Sequence, residues 1–164
     1  MMTATPIPAI SRRAFTLIEV VIAVIVLAIA VPPTLNLLDS AGAGRADAIN
    51  TSRATYLATT VLESVMADLT STQETLGFDA LGDESAYLST PVTGLYARLE
   101  GIAEPYTRMG LTYSVEISEL VSSDATVSDD IDENVFRIVT VRVSFPSATS
   151  ADYTMPVSMM VTQL

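Results

Sequence analysis

Two hydrophobic periodicities divide the chain. Residues 15–31 read Phe-Thr-Leu-Ile-Glu-Val-Val-Ile-Ala-Val-Ile-Val-Leu-Ala-Ile-Ala-Val, seventeen positions of which only Thr16 and Glu19 are polar. Pro32-Pro33 interrupts the run, and Leu35, Leu37 and Leu38 extend it. At about 1.5 Å per residue, 15–38 reaches roughly 36 Å as a helix, enough to cross a bilayer. The proline pair removes two backbone donors and disfavours helix at Val31, which predicts a kink or a melted turn. Beyond it, Gly42 and Gly44 each weaken helix by about 1 kcal/mol relative to alanine. From Arg45 the apolar residues take helical spacing, with Leu57, Val61, Val65 and Leu69 flanked by Ala58, Leu62 and Met66. Arg53, Thr60, Glu63 and Asp68 fall mostly off that stripe. The expectation is one long, bent helix over 15–69, apolar all round in its first half and amphipathic in its second.

The period then changes. Residues 71–110 carry Gly77, Gly82, Pro91, Gly94, Gly101, Pro105 and Gly110, which punctuate short segments such as 96–99. Three runs of alternating residues follow: 111–118, 134–145 and 153–161, with Val115, Val141 and Val157 among the buried positions. Residues 146–152 join the last two as a hairpin, and Pro156 marks the last as an edge strand. The predicted class is α+β, a small antiparallel meander laid over the amphipathic helix.

Composition narrows the chemistry. The chain lacks both cysteine and histidine, which removes thiol nucleophiles, thiolate metal sites and the commonest general base. The remaining carboxylates form no recognisable catalytic pair, and an enzyme is not expected. All eight basic residues are arginines, and Arg12 and Arg13 precede the apolar run. The remainder holds six arginines against nineteen acids, a surface that repels nucleic acid. Arg12 and Arg13 place the N-terminus in the cytoplasm.

Glu19 is the informative residue. A charge inside a spanning helix costs about 2.5–3.5 kcal/mol at the centre and less near an interface. Crossing a membrane requires no such residue. Either Glu19 lies shallow and reaches the headgroups, or another subunit supplies a partner charge. The arrangement Arg12-Arg13-Ala14-Phe15-Thr16-Leu17-Ile18-Glu19-Val20 resembles the prepilin signal of type IV pilins and type II secretion pseudopilins. That resemblance implies cleavage by a prepilin peptidase between Ala14 and Phe15 and N-methylation of Phe15. It also implies that Glu19 pairs with a neighbouring subunit's N-terminal amine. The family normally has glycine before the cut, where this chain has Ala14. Two other processing readings remain. Ser11-Arg12-Arg13-Ala14-Phe15 is similar to a twin-arginine export signal, and Ala28-Ile29-Ala30 forms a secretory cleavage site. Both leave Glu19 unexplained, and both would make the chain an exported or anchored periplasmic binding protein.

The pilin resemblance divides the chain into a leader (1–14), a hydrophobic stem (15–38), an amphipathic half-helix (39–70) and a globular head (71–164). It implies residence in the bacterial inner membrane, then in a filament. The implied partners are other pilin or pseudopilin subunits, the peptidase-methyltransferase and an inner-membrane assembly platform. Residues 52–66 are similar to the helix of V-type minor pilins and I-type minor pseudopilins, which points to a minor, tip-associated subunit. No cofactor is expected. Asp124, Asp129, Asp130, Asp132 and Glu133 crowd one loop and are calcium candidates by composition, although their spacing does not match an EF-hand and a solvated loop is the plainer reading. Met155, Met159 and Met160 could form an adaptable contact edge.

Overall fold

A computed structural model describes residues 16–73, 75–148 and 151–163. The chain divides into two compact units, the boundary falling between Gly42 and Ala43. Helix α1 (Leu17–Leu69) begins in the first unit and ends in the second. The second unit adds a 3-10 turn (Asp79–Gly82), α2 (Glu84–Ser89), α3 (Leu95–Arg108), β1 (Thr112–Ile117), a short 3-10 turn (Ile131–Glu133), β2 (Phe136–Phe145) and β3 (Tyr153–Thr162). The α+β class and the three-stranded antiparallel meander, in the order β1-β2-β3, are those expected of a pilin-like architecture.

In the first unit the helix is unbroken through Pro32 and Pro33, so the melted turn expected there is absent. Proline's fixed φ is itself helical. What the pair removes is two donors, leaving the carbonyls of Ala28 and Ile29 without their usual partners. Just beyond, the Thr34 hydroxyl donates to the carbonyls of Val31 (2.7 Å) and Ala30 (3.2 Å). Serine and threonine play this part in proline-containing spanning helices.

The second unit holds the core. Ala54, Leu57, Ala58, Val61 and Val65 form the buried face of α1, at the helical spacing read from the sequence. They pack with Val139, Val141 and Val143 of β2, Val115 of β1, and Leu95 and Leu99 of α3. Val141 lies opposite both Val115 and Val157, which fixes the register of the three strands. A one-residue slip would turn every one of these valines to solvent. The outer face of the sheet is polar, with Arg142 donating to both oxygens of Glu116 (3.1 and 2.9 Å) and hydroxyl pairs Thr140–Ser158 and Ser144–Thr154. The β2–β3 turn is tied to α1 through Asp47, which accepts from the Ser147 hydroxyl (2.9 Å) and the Ala148 amide (2.8 Å).

Three sequence expectations need correction here. The first concerns 71–110, which is largely helical rather than irregular. Helix α3 runs through Gly101 and Pro105 because Leu95, Leu99 and Ala103, spaced four apart, bury one side of it. Gly94 precedes α3 at a point where a Cβ would lie 2.7 Å from the Thr90 nitrogen and oxygen and 2.8 Å from the Leu88 oxygen. Only glycine fits so close an approach. The second concerns β2, which starts at Phe136 because the Asn134 side chain is spent on the preceding loop. The third concerns Asp68, which is buried rather than off the stripe.

Candidate processing and assembly segment

The N-terminal end of α1 is built by a reciprocal pair of side chains. The Thr16 amide and hydroxyl both donate to Oε2 of Glu19, at 2.8 and 2.9 Å. The Glu19 amide in turn lies 3.4 Å from the Thr16 hydroxyl oxygen. This is a capping box, which satisfies helix N-terminal donors that would otherwise be orphaned in an apolar medium. Glu19 stands in the first turn, where the helix dipole favours a negative charge. Its Oε1 accepts no hydrogen bond among the described residues, and the side chain is exposed. The sequence reading missed Thr16, although the Thr-x-x-Glu spacing is itself the signal for a capping box.

Behind this cap stands an apolar surface left exposed among the described residues. Leu17, Ile18, Ile22, Val24, Ile25, Leu27, Ile29, Leu35 and Leu38 are all more than half exposed. Valines and alanines fill the spaces between as far as Val31, where Glu19 is the only polar side chain after Leu17; Thr34 and Asn36 follow beyond the proline pair. Burying each such large side chain is worth about 1.5–3 kcal/mol. A surface of this kind favours lipid or another apolar surface over water. Arg12, Arg13, Ala14 and Phe15 lie outside the described residues.

Residues 11–31 match the family model of the prokaryotic N-terminal methylation motif. This is a prepilin-type signal. It is the type carried by type IV pilins and pseudopilins, and it covers Arg12 to Glu19 together with the apolar run to Val31. No curated protein and no solved structure gives a match to the chain. The prepilin signal and the pilin-like fold point to a structural subunit. They also imply processing by a prepilin peptidase and assembly with other pilin subunits in general.

The second cluster singled out from sequence, the acidic loop, closes on itself. Asp124 Oδ1 accepts from the hydroxyls of Ser122 and Thr126, both at 2.6 Å, and from the Thr126 amide at 3.0 Å. These donors hold its pKa down to about 2. Asp130 accepts from the Asp132 amide, and Glu133 from the Ser128 hydroxyl. Among the described residues no three of Asp124, Asp129, Asp130, Asp132 and Glu133 converge in a way that could hold a metal ion, although Asp124 and Glu133 line one shallow cavity.

A third cluster was not legible in the sequence. Arg98 of α3 donates to both oxygens of Asp68, at 2.7 and 2.6 Å, and the Tyr87 hydroxyl of α2 donates to the same carboxylate at 2.6 Å. Asp68 is 6% exposed. Burial, then the neighbouring carboxylate, push the Tyr87 hydroxyl's pKa well above its usual value, and the hydrogen bond to Asp68 raises that of Arg98. The cluster fastens the last turn of α1 to α2 and α3.

Proposed function

We propose that the chain is a minor, tip-associated subunit of a type IV pilus or a type II secretion pseudopilus, anchored in the inner membrane before it enters the filament. In this reading residues 1–14 are a cytoplasmic leader removed at Ala14–Phe15. Residues 15–38 are first a membrane span and then part of the filament interior. The observation that carries the reading is an apolar helix, exposed among the described residues, with one carboxylate in its first turn and a matched prepilin-type signal over 11–31. Glu19 meets the amine of an adjacent subunit, and its Oε1, which accepts no hydrogen bond among the described residues, supplies the acceptor. The stems bundle to bury their apolar surface, and the acidic heads stay in water. Arg12 and Arg13 set the orientation.

Fractionation tests this. The proposal expects the protein in the membrane fraction when the assembly machinery is absent, and in sheared filaments when it is present. Release into the periplasm as a freely soluble protein without its stem would overturn it and favour an exported binding protein.

A further inference from the structure

The two edges of the sheet are treated differently. On β1 the Val115 amide donates to the Tyr96 hydroxyl and the Ile117 amide to Glu84 Oε1, both at 3.1 Å. These amides point away from β2, so side chains of α2 and α3 occupy that edge. Hydrogen-bonding direction alternates along a strand and is shared across an antiparallel pair. Carried through the register from β1 to β2 to β3, it leaves Val157, Met159 and Val161 bonded to β2. It directs the backbone groups of Thr154, Pro156, Ser158, Met160 and Thr162 out of the sheet. No hydrogen bond reaches those outward amides among the described residues. Pro156 guards the first half of this edge, having no donor to offer. Residues 158–162 are unguarded.

Edges are ordinarily blunted with charge. Strand β3 has none along Tyr153–Thr162, in a chain of net charge −11. The unguarded half also borders an apolar cavity of about 230 Å³ lined by Met66, Leu69, Thr70, Met160, Val161 and Thr162. Met66 is 53% and Met160 41% exposed.

We propose that residues 158–162 pair antiparallel with the same segment of a second copy of this chain, centred on Met160. Ser158 then lies opposite Thr162 of the other copy, so the outer-face hydroxyl rows continue across the junction. Met159 lies opposite Val161 and extends the apolar lining over the cavity. The segment is self-complementary because it is uncharged. Elsewhere the head carries an excess of acids over arginines, whose like charges repel between two copies. Five residues make a weak contact alone, and tethering in one membrane raises the effective concentration that populates it. The contact is separate from stem bundling and involves only the head.

The chain has no cysteine, so single substitutions report cleanly. Opposed residues in such a pair have Cα atoms about 5.5 Å apart, within disulfide range. In full-length protein in membranes, mild oxidation of Met160→Cys is expected to give at least tenfold more disulfide dimer than Thr154→Cys or Val92→Cys. Adding Ser158→Pro, which removes an edge donor and the hydroxyl bond to Thr140 but no backbone bond to β2, should abolish the dimer while circular dichroism stays unchanged and Ser158→Ala, which loses only the hydroxyl, still dimerises. Should that proline unfold the head, the Met160 against Thr154 comparison decides alone. Equal crosslinking at 154 and 160, no dimer at 160, or a crosslink to a different polypeptide overturns the proposal. If filaments still form in any of these cases, only this inference falls.

Discussion

Replacing Glu19 separates its two roles. Alanine removes both the cap and the charge, whereas glutamine keeps an acceptor for the Thr16 amide and removes only the charge. The cap is worth about 0.5–2 kcal/mol of helix stability at its first turn. Loss of the charge favours insertion by up to about 2.5–3.5 kcal/mol at the membrane centre, and less at the depth of a first turn. Both variants should therefore insert at least as well as the parent. Assembly behaves differently. An amine and a carboxylate about 4 Å apart attract by about 4 kcal/mol at an effective dielectric constant near 20. Its loss weakens each subunit addition by roughly a thousandfold. Protease protection in inverted vesicles reads insertion, and the yield of sheared filaments reads assembly. The account expects intact insertion and lost filaments for Glu19→Gln and Glu19→Ala alike. Normal filaments from the glutamine variant beside defective ones from alanine would reduce Glu19 to a helix cap and refute the pairing.

Other expectations concern the head. Asp68→Ala strands Arg98 and the Tyr87 hydroxyl and should destabilise the head by about 3–5 kcal/mol, read from the shift in the urea midpoint of full-length protein in detergent. An unchanged midpoint would mean the cluster is incidental. Gly94→Ala forces its Cβ against the Thr90 backbone, and a loss of about 1–3 kcal/mol on the same assay is expected. Asp124, with its folded pKa lowered to about 2, should stay ionised through ordinary acid conditions. The stability it lends is present above the unfolded value near 3.9 and is lost as pH falls towards 2. Amide shifts of Thr126 followed by NMR should titrate with that low midpoint, and a midpoint near 4 would show that the Ser122 and Thr126 donors do not engage it.

Much of this architecture lay open in the chain because local patterns generate it. The apolar run, the stripe of Leu57, Val61 and Val65 and the alternation around Val115, Val141 and Val157 each need only the residue's own neighbours to be read. The helices of 71–110 were hidden because Gly101 and Pro105 carry strong local preferences against helix. Tertiary burial of Leu95, Leu99 and Ala103 outweighs them. Asp68 follows the spacing of the buried stripe, yet a carboxylate reads as exposed until its partners are known. Those partners, Tyr87 and Arg98, stand 19 and 30 residues further along, which no local pattern connects. At the stem, Glu19 stood out by its charge, while Thr16 passed as an unremarkable polar residue although it completes the cap.

The mass of the mature N-terminus tests the central claim most directly. Protein purified from membranes or filaments should begin at N-methylated Phe15 and retain the entire stem. A mature chain beginning at Val31, or one still carrying Met1, would contradict the account.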